Sequence, residues 1–394
     1  MHATQHQLPP PGKIPVIYVT TADALASCIN QLAQAEEIAF DLEFDRNNFT
    51  YGFNLCLMQI ASDTHCYFID PKAGLDMTLA FSLLENPAIH KVVHCSSEDL
   101  RLLHHLKCYP ANLADTELYA KLLNYERTSL GAMIQQLFGI ELDKKMQKVN
   151  WGLRPLRPEQ LDYAANDVLY LLPLKALLEK QGAEKNMLPF FRDENNLLSS
   201  TIHSMEPKDN FLKKNDLRYL SPCQQYILNG LFSYRDKLAQ QQNRPVHYIM
   251  NDETIRNLAS NKISRSDFQN IKGIHPEVKN KDGQSNLFDY IKKLHIEANN
   301  KKLSHKRNYV HARNVHFITE KAAWELVKAS IFTPIQNDIS AQFGEHAMRF
   351  IFSTATVNAI VQGQLKIEEI KAPYRKMLIK SSAQKLGKDL SGFT

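Results

Sequence analysis

The chain has 394 residues, 44% of them hydrophobic and 23% charged, and carries a formal net charge of +5. That length exceeds one ordinary core and predicts two or three globular domains, while a membrane helix is excluded because even "VLYLLPLKALL" is cut by Pro173 and Lys175. The charge is divided: residues 1–200 hold 17 Lys plus Arg against 24 Asp plus Glu, and residues 201–394 hold 30 against 18, so an acidic half precedes a basic half suited to a polyanion such as nucleic acid.

The opening "MHATQHQLPPPGK" has neither a basic n-region nor an apolar h-region, and residues 1–13 read as a disordered polar tail. Strand candidates come next in "KIPVIYVT", "IAFDLEF", "LCLMQIAS", "HCYFIDP" and "HKVVHCS". Helical patterns at 23–34, 98–107 and 116–124 alternate with them, with Thr20 or Thr21 as the first cap. This alternation predicts an α/β domain. From about residue 205 the β-branched runs give way to amphipathic helices. In one of these, Ile227, Leu228, Leu231, Tyr234 and Leu238 recur at helical spacing, and Gly273 is a helix stop further on. The stretch 299–314, "NNKKLSHKRNYVHARN", reads as a basic linker, and a last helical region occupies about 315–388. The six cysteines form no C-x-x-C pair, and Cys28, Cys56 and Cys95 sit in apolar runs where a thiol packs as a small hydrophobe. A reducing, cytoplasmic location and no structural zinc are expected.

Three acidic places carry the chemistry. In "EEIAFDLEFDR", Ile38, Phe40, Leu42 and Phe44 alternate with Asp41, Glu43 and Asp45, so the three carboxylates share one face of a strand. Taken alone, this is equally a half-solvated strand. Asp99 comes after a strand and the turn Ser96-Ser97, in the first helical turn, where Ser96-Ser97-Glu98-Asp99 also fits a capping box. In "RPEQLDYAANDVLYLLP", Pro158 opens a helix whose apolar stripe runs through Leu161, Ala164 or Ala165, Val168, Leu169 and Leu172. Tyr163 and Asp167, four residues apart, flank that stripe.

A strand D-x-E, an acid at a strand-to-helix turn and a Tyr-x-x-x-Asp helix, in this order, resemble the DEDDy group of 3′→5′ exonucleases and, within it, the ribonuclease D family. The segments "LCLMQIAS", "YFIDP", "HCSSEDL", "LADTEL" and "LDKKMQKVNWGLRPLRPEQLDYAANDVLYLLP" are similar to that family at corresponding places. Asn150 stands before Trp151 where related sequences often carry an acid or a serine, a departure that bears on substrate contacts. The run "LSPCQQYILNGLFSYRDKLAQQQNRPVHYIMNDETIRNLASNKISRSDFQNIKGI" resembles the HRDC module, a helical nucleic-acid-binding or docking domain also found in RecQ-type helicases. No G-x-x-x-x-G-K-[ST] loop is present, so neither a helicase nor a nucleotide cofactor is implied. The tail, through "YRKMLIKSSAQKL", resembles the second, divergent HRDC of bacterial ribonuclease D.

The resemblance implies a ribonuclease H-like exonuclease domain, a mixed sheet flanked by helices, followed by all-α HRDC-type domains. The boundaries are 14–205 for the exonuclease, 206–298 for the HRDC domain, 299–314 for the linker and 315–394 for the second HRDC-like domain. It further implies two Mg²⁺ or Mn²⁺ ions held by Asp41, Glu43, Asp99 and Asp167. Asp41 would bridge both ions, Glu43 and Asp167 would complete the site of the ion holding the attacking water, and Asp99 would support the other ion through water. Tyr163 would orient the attacking water and help remove its proton. Carboxylates without Cys or His suit such hard cations, and crowded carboxylates need compensation because each raises its neighbour's pKa. The substrate implied is RNA with a single-stranded 3′ end, transfer RNA trailers above all. Trp151, Arg154, Lys301, Lys302, Lys306, Arg307, Arg375 and Lys376 are candidate nucleic-acid contacts, with Tyr309 and Tyr374 as stacking partners. Two alternatives stay open: a Werner-type exonuclease acting on DNA, and an inactive fold kept as an RNA-binding scaffold.

Overall fold

The β-branched and aromatic runs form strands in the computed structural model, which describes residues 14–143, 145–203, 210–307 and 315–394. The expected tail 1–13, the boundary near 205, the linker residues 308–314 and with them Tyr309 lie outside the described residues. The chain divides into two compact units, one of Met1–Glu43, Leu55–Met205 and Val315–Thr394, the other of Phe44–Asn54 and Glu206–Asn314. No helix among the described residues is long and apolar enough to cross a membrane.

The first unit is built on a mixed sheet. Its strands are β1 (Val16–Val19), β2 (Glu37–Arg46), β3 (Phe53–Ala61), β4 (Cys66–Ile69), β5 (His90–Val93) and β6 (Leu113–Asp115), in the spatial order β1-β4-β3-β2-β5-β6. β4 runs parallel to β1 and antiparallel to β3, and β5 runs parallel to both β2 and β6. Five strands fall where the apolar runs predict them. β6 does not announce itself, because three residues are too few to show a period of two. Ile38, Ala39, Phe40 and Leu42 are buried on β2, as expected of an interior strand covered on both faces. Thr21 caps the helix Ala22–Leu32 by accepting from Ala24 N, and Leu25, Cys28 and Leu32 form its buried stripe.

The C-terminal helices, expected as a domain of their own, share a core with this first unit. Phe332, Ile335, Ile339, Ile351, Phe352 and Ile379 pack in one cluster with Tyr119, Met133, Phe138, Leu174 and Phe191. Tyr119 stacks on Phe191 at 4.0 Å, and Tyr374 stacks on Phe190 at 4.6 Å. Helical periodicity marks which stripe of a helix is buried, but not which other stripe it meets.

Among its described residues, the second unit is helical apart from the segment Phe44–Asn54. Ser221 and Gln224 form a capping box that starts the helix Pro222–Gln241, and Ile227, Leu228 and Leu231 lie in one core with Leu287, Ile291 and Leu294 of the helix Lys281–Asn300. Gly283 is required there, since a Cβ would lie 1.8 Å from the Glu277 carbonyl oxygen. That helix runs to Asn300, so the expected linker at 299 begins later, after Lys302 ends it with a left-handed φ of 54°. Gly273, at φ 75°, lies between two short helices, not at the end of a long one.

A shared core makes the first prediction. Phe332→Ala should destabilise the sheet-bearing unit by about 3–5 kcal/mol, lowering its calorimetric transition and speeding hydrogen exchange in the helix Thr116–Leu122. Unchanged exchange there would mean that the C-terminal helices close a core of their own.

Candidate active site

Alternation along β2 places Asp41 and Glu43 on one face of the sheet. The helix Pro158–Leu169 lies over the buried apolar cluster that Ala39, Leu57 and Phe68 join, contributing Ala164, Ala165 and Val168. Two alanines let that helix come close. Oxygens of Asp41, Glu43 and Asp167 consequently lie within 4.8 Å of one another. Pro158 occupies the first turn as expected, and Gln160 accepts from Arg157 N at 3.2 Å to fix the helix start.

Asp99 joins this group electrostatically from the first turn of the helix Ser97–His105, only 9% exposed. Burial first, and then the charges of Asp99, Asp167 and Glu43, hold the Asp41 carboxyl well above the usual carboxylate range. Glu43 is raised by burial and by Asp167 and Asp99. Asp99 is pushed up to about 8 by burial, with Asp115 and Asp167 adding to it, and Asp167 to about 7 by burial against the opposing hydrogen bond from Tyr163. Among the described residues, no lysine or arginine is one of the main groups acting on these four pKa values. The Tyr163 hydroxyl is driven further up by burial and by Asp167, Glu43 and Asp41, and it also hydrogen-bonds Gln147. It donates to Asp167, and a group so hard to ionise is a poor base at neutral pH.

Asp45 reads in the sequence like its two neighbours, yet its place is different. It is buried in the second unit and accepts from Asn48 N at 2.8 Å, Phe49 N at 3.2 Å, Thr50 N at 2.7 Å and Thr50 Oγ1 at 2.5 Å, tying off the turn after β2. Ser96 is likewise not the expected capping side chain. It sits at the N-cap, but its hydroxyl donates to Asp115 Oδ2 at 3.0 Å. Cys95, expected to pack as a hydrophobe, is exposed, with a left-handed φ of 57°.

Several expected nucleic-acid contacts are engaged internally. Trp151 is only 2% exposed, its ring 6.0 Å from that of Tyr163. Arg154 pairs with Asp70 through Nε at 2.5 Å and Nη2 at 2.6 Å. Its remaining N–H groups reach the carbonyls of Trp151, Leu153 and Cys56. This arginine locks the loop before the Tyr163 helix and has no donor left for phosphate. Arg375 pairs with buried Glu194 at 2.6 Å, which also accepts from the Tyr374 hydroxyl at 2.7 Å, and Tyr374 itself is 3% exposed. Lys376 donates to the Glu368 carbonyl at 3.3 Å. In the second unit Lys301, Lys302 and Lys306 are exposed, and Arg307 lies 4.9 Å over the exposed ring of Tyr219. Asn150, where the sequence departs from the family pattern, accepts from Gly152 N at 2.9 Å and shapes the same loop as Arg154.

Two residues that bear on the site were not singled out in the sequence. Gln147 lies in an irregular loop without any pattern. Asp115 sits in "LADTEL" as an ordinary helix cap, and only its contacts across to Cys95 and Ser96 distinguish it.

Residues 16–183 match a family model described as a 3′-5′ exonuclease, and residues 224–285 match the HRDC domain. Ribonuclease D of Zymomonas mobilis is 34% identical over 265 residues, 65% of this chain and 67% of that protein. Ribonuclease D of Haemophilus influenzae is 33% identical over 248 residues, 62% of each chain. The matched stretch thus spans about two thirds of these relatives' length. Among solved structures, the catalytic core of RRP6 from Trypanosoma brucei is similar with a TM-score of 0.64 at 26% identity, over 73% of this chain and 81% of that one. Escherichia coli RNase D shares the fold over 93% of this chain and 98% of its own, with a TM-score of 0.68 at 23% identity. Sheet, acidic cluster, sequence relatives and HRDC segment all lead to one assignment: the chain belongs to the ribonuclease D family of 3′→5′ exoribonucleases.

Proposed function

We propose that this chain shortens RNA from its 3′ end, releasing nucleoside 5′-monophosphates, and that it acts in the cytoplasm on structured RNAs such as transfer RNA precursors with single-stranded trailers. The observation that carries the reading is the convergence of Asp41, Glu43 and Asp167 within 4.8 Å, with Asp99 close enough to raise Asp41. Escherichia coli RNase D, which shares the fold, is described as an exoribonuclease involved in structured RNA processing.

The donor set fits two divalent cations. It consists of hard carboxylate oxygens whose burial and mutual repulsion keep them from ionising together. Asp41, Glu43, Asp99 and Asp167 would hold Mg²⁺ or Mn²⁺. When bound, such a pair supplies Lewis acidity at the scissile phosphate and lowers the pKa of the attacking water. The rest falls to the chain. Tyr163, held by Asp167 and Gln147, orients the water by accepting a hydrogen bond from it without losing its own proton. The buried Trp151 and the Arg154–Asp70 pair hold the loop that precedes Tyr163. Lys301, Lys302 and Lys306 remain as phosphate contacts in the second unit, as exposed cations on a basic helical region.

End-labelled RNA incubated with Mg²⁺ or Mn²⁺ should shorten from its 3′ end, and a matching DNA should do so more slowly. Asp167→Asn or a chelator should abolish shortening. RNA left intact by the wild-type chain under either metal would refute the reading, and faster loss of DNA would change the substrate. Tyr163→Phe should lower kcat by about 10²-fold while metal binding, monitored by calorimetric titration with Mn²⁺, stays within about twofold, because only the orienting hydroxyl is lost.

The pKa shifts fix a sign for stability. Asp99 and Asp167, at about 8 and about 7, bind more protons folded than unfolded above pH ~4. Their contribution to the metal-free chain is full at low pH and is lost as pH rises through 7 and 8. In chelator the unfolding temperature should therefore fall between pH 5 and 8, less steeply in Asp167→Asn, and Mg²⁺ should stabilise most at the alkaline end. Stabilisation by Mg²⁺ that is flat with pH would count against these acids as its ligands.

A further inference from the structure

The turn that delivers Asp99 is held from outside its own helix. Between β5 and the helix Ser97–His105, Cys95 adopts a left-handed φ of 57°, a conformation that a residue with a side chain rarely holds unaided. With Cys95 so placed, the N–H groups of Cys95 and Ser96 both point at Asp115, the last residue of β6. Asp115 Oδ1 accepts from Cys95 N at 3.0 Å, and Oδ2 accepts from Ser96 N and Ser96 Oγ, each at 3.0 Å. The next residue repeats the grip: Thr116 Oγ1 donates to the Val93 carbonyl at 3.1 Å and meets His94 Nδ1 at 2.8 Å. Parallel pairing of Val93 with Asp115 sets the register that makes these contacts possible.

A helix cap needs one hydrogen bond, and Asp115 has it, from Glu117 N at 2.8 Å. The other three cross to the Asp99 turn. They also divert the Ser96 hydroxyl, which would otherwise cap the Asp99 helix, so the first turn of that helix is oriented by Asp115. Asp115 is 3% exposed and lies near enough for its charge to act on Asp99.

We propose that Asp115 is a positioning residue for Asp99, fixing the angle at which the helix Ser97–His105 presents that carboxylate to the cation site. The proposal rests on the reading of Asp99 as one of the acids of the exonuclease site. Asp115 touches neither substrate nor the reacting atoms. Its effect passes through three hydrogen bonds to the turn, which a neutral amide cannot reproduce, because one of its two positions would present N–H to N–H.

The test is a double-mutant cycle on the full chain, with Asp115→Asn, Asp99→Asn and the pair combined. Each protein is measured for kcat and KM on labelled RNA, for Mn²⁺ binding by calorimetric titration, and for thermal unfolding in chelator. Asp115→Asn is expected to lower kcat and to weaken Mn²⁺ binding by about tenfold or more, with KM within about twofold. In the Asp99→Asn background the same change should cost nothing further. Losses that multiply in the double mutant would overturn the proposal, as would an unaltered Mn²⁺ titration beside a lowered unfolding temperature, the pattern of a simple cap. A fully active Asp99→Asn is a separate failure, since it overturns the site reading underneath. If Asp115→Asn does not fold, Ser96→Ala, which removes one of the three crossing bonds, takes its place in the cycle with an expected loss of about threefold.

Discussion

Mutual repulsion among carboxylates is the constraint around which the first unit is organised. Asp41, Glu43 and Asp167 converge from a strand and a helix far apart in sequence, with Asp99 arriving from a second helix. Burial and their own charges hold their pKa values up, and packing keeps these mutually repelling groups together. The devices that impose this are specific. β2 is an interior strand with an apolar buried stretch from Ile38 to Phe40, two alanines bring the Asp167 helix close to the sheet, and a bidentate Arg154–Asp70 pair ties down the loop before it. A sequence that places acids so deliberately against local preference is the pattern expected where function overrides stability.

Much of this is legible in the sequence because strand and helix periods are local. Alternation along 38–44 places Asp41 and Glu43 on one face, and the four-residue spacing of Tyr163 and Asp167 puts them on one flank without any knowledge of the fold. Asp45 shows the limit of that logic. It obeys the same alternation, but the strand ends beside it, and three unsatisfied backbone N–H groups in the turn beyond claim its oxygens. Likewise, Cys95 stands in an apolar run and yet is exposed, since the run ends in a turn whose geometry is dictated by Asp115 on a different strand. Non-local partners of this kind leave no periodic trace.

The cations sort by type in a way that composition cannot show. Arg154 and Arg375 look like phosphate ligands in the sequence, but each faces a buried carboxylate, Asp70 or Glu194, and a guanidinium fork satisfies such a group through several donors at once. Lys301, Lys302 and Lys306 have compact, strongly hydrated heads and stay at the surface.

The core shared by Tyr119 and Phe191 with Phe332, Phe352 and Ile379 has a temporal meaning as well as a spatial one. Translation delivers the sheet long before the C-terminal helices that complete this core, with residues 206–314 made in between. A ribosome-bound nascent chain therefore exposes an unsealed apolar flank until its last helices emerge, a surface open to misassembly in the meantime.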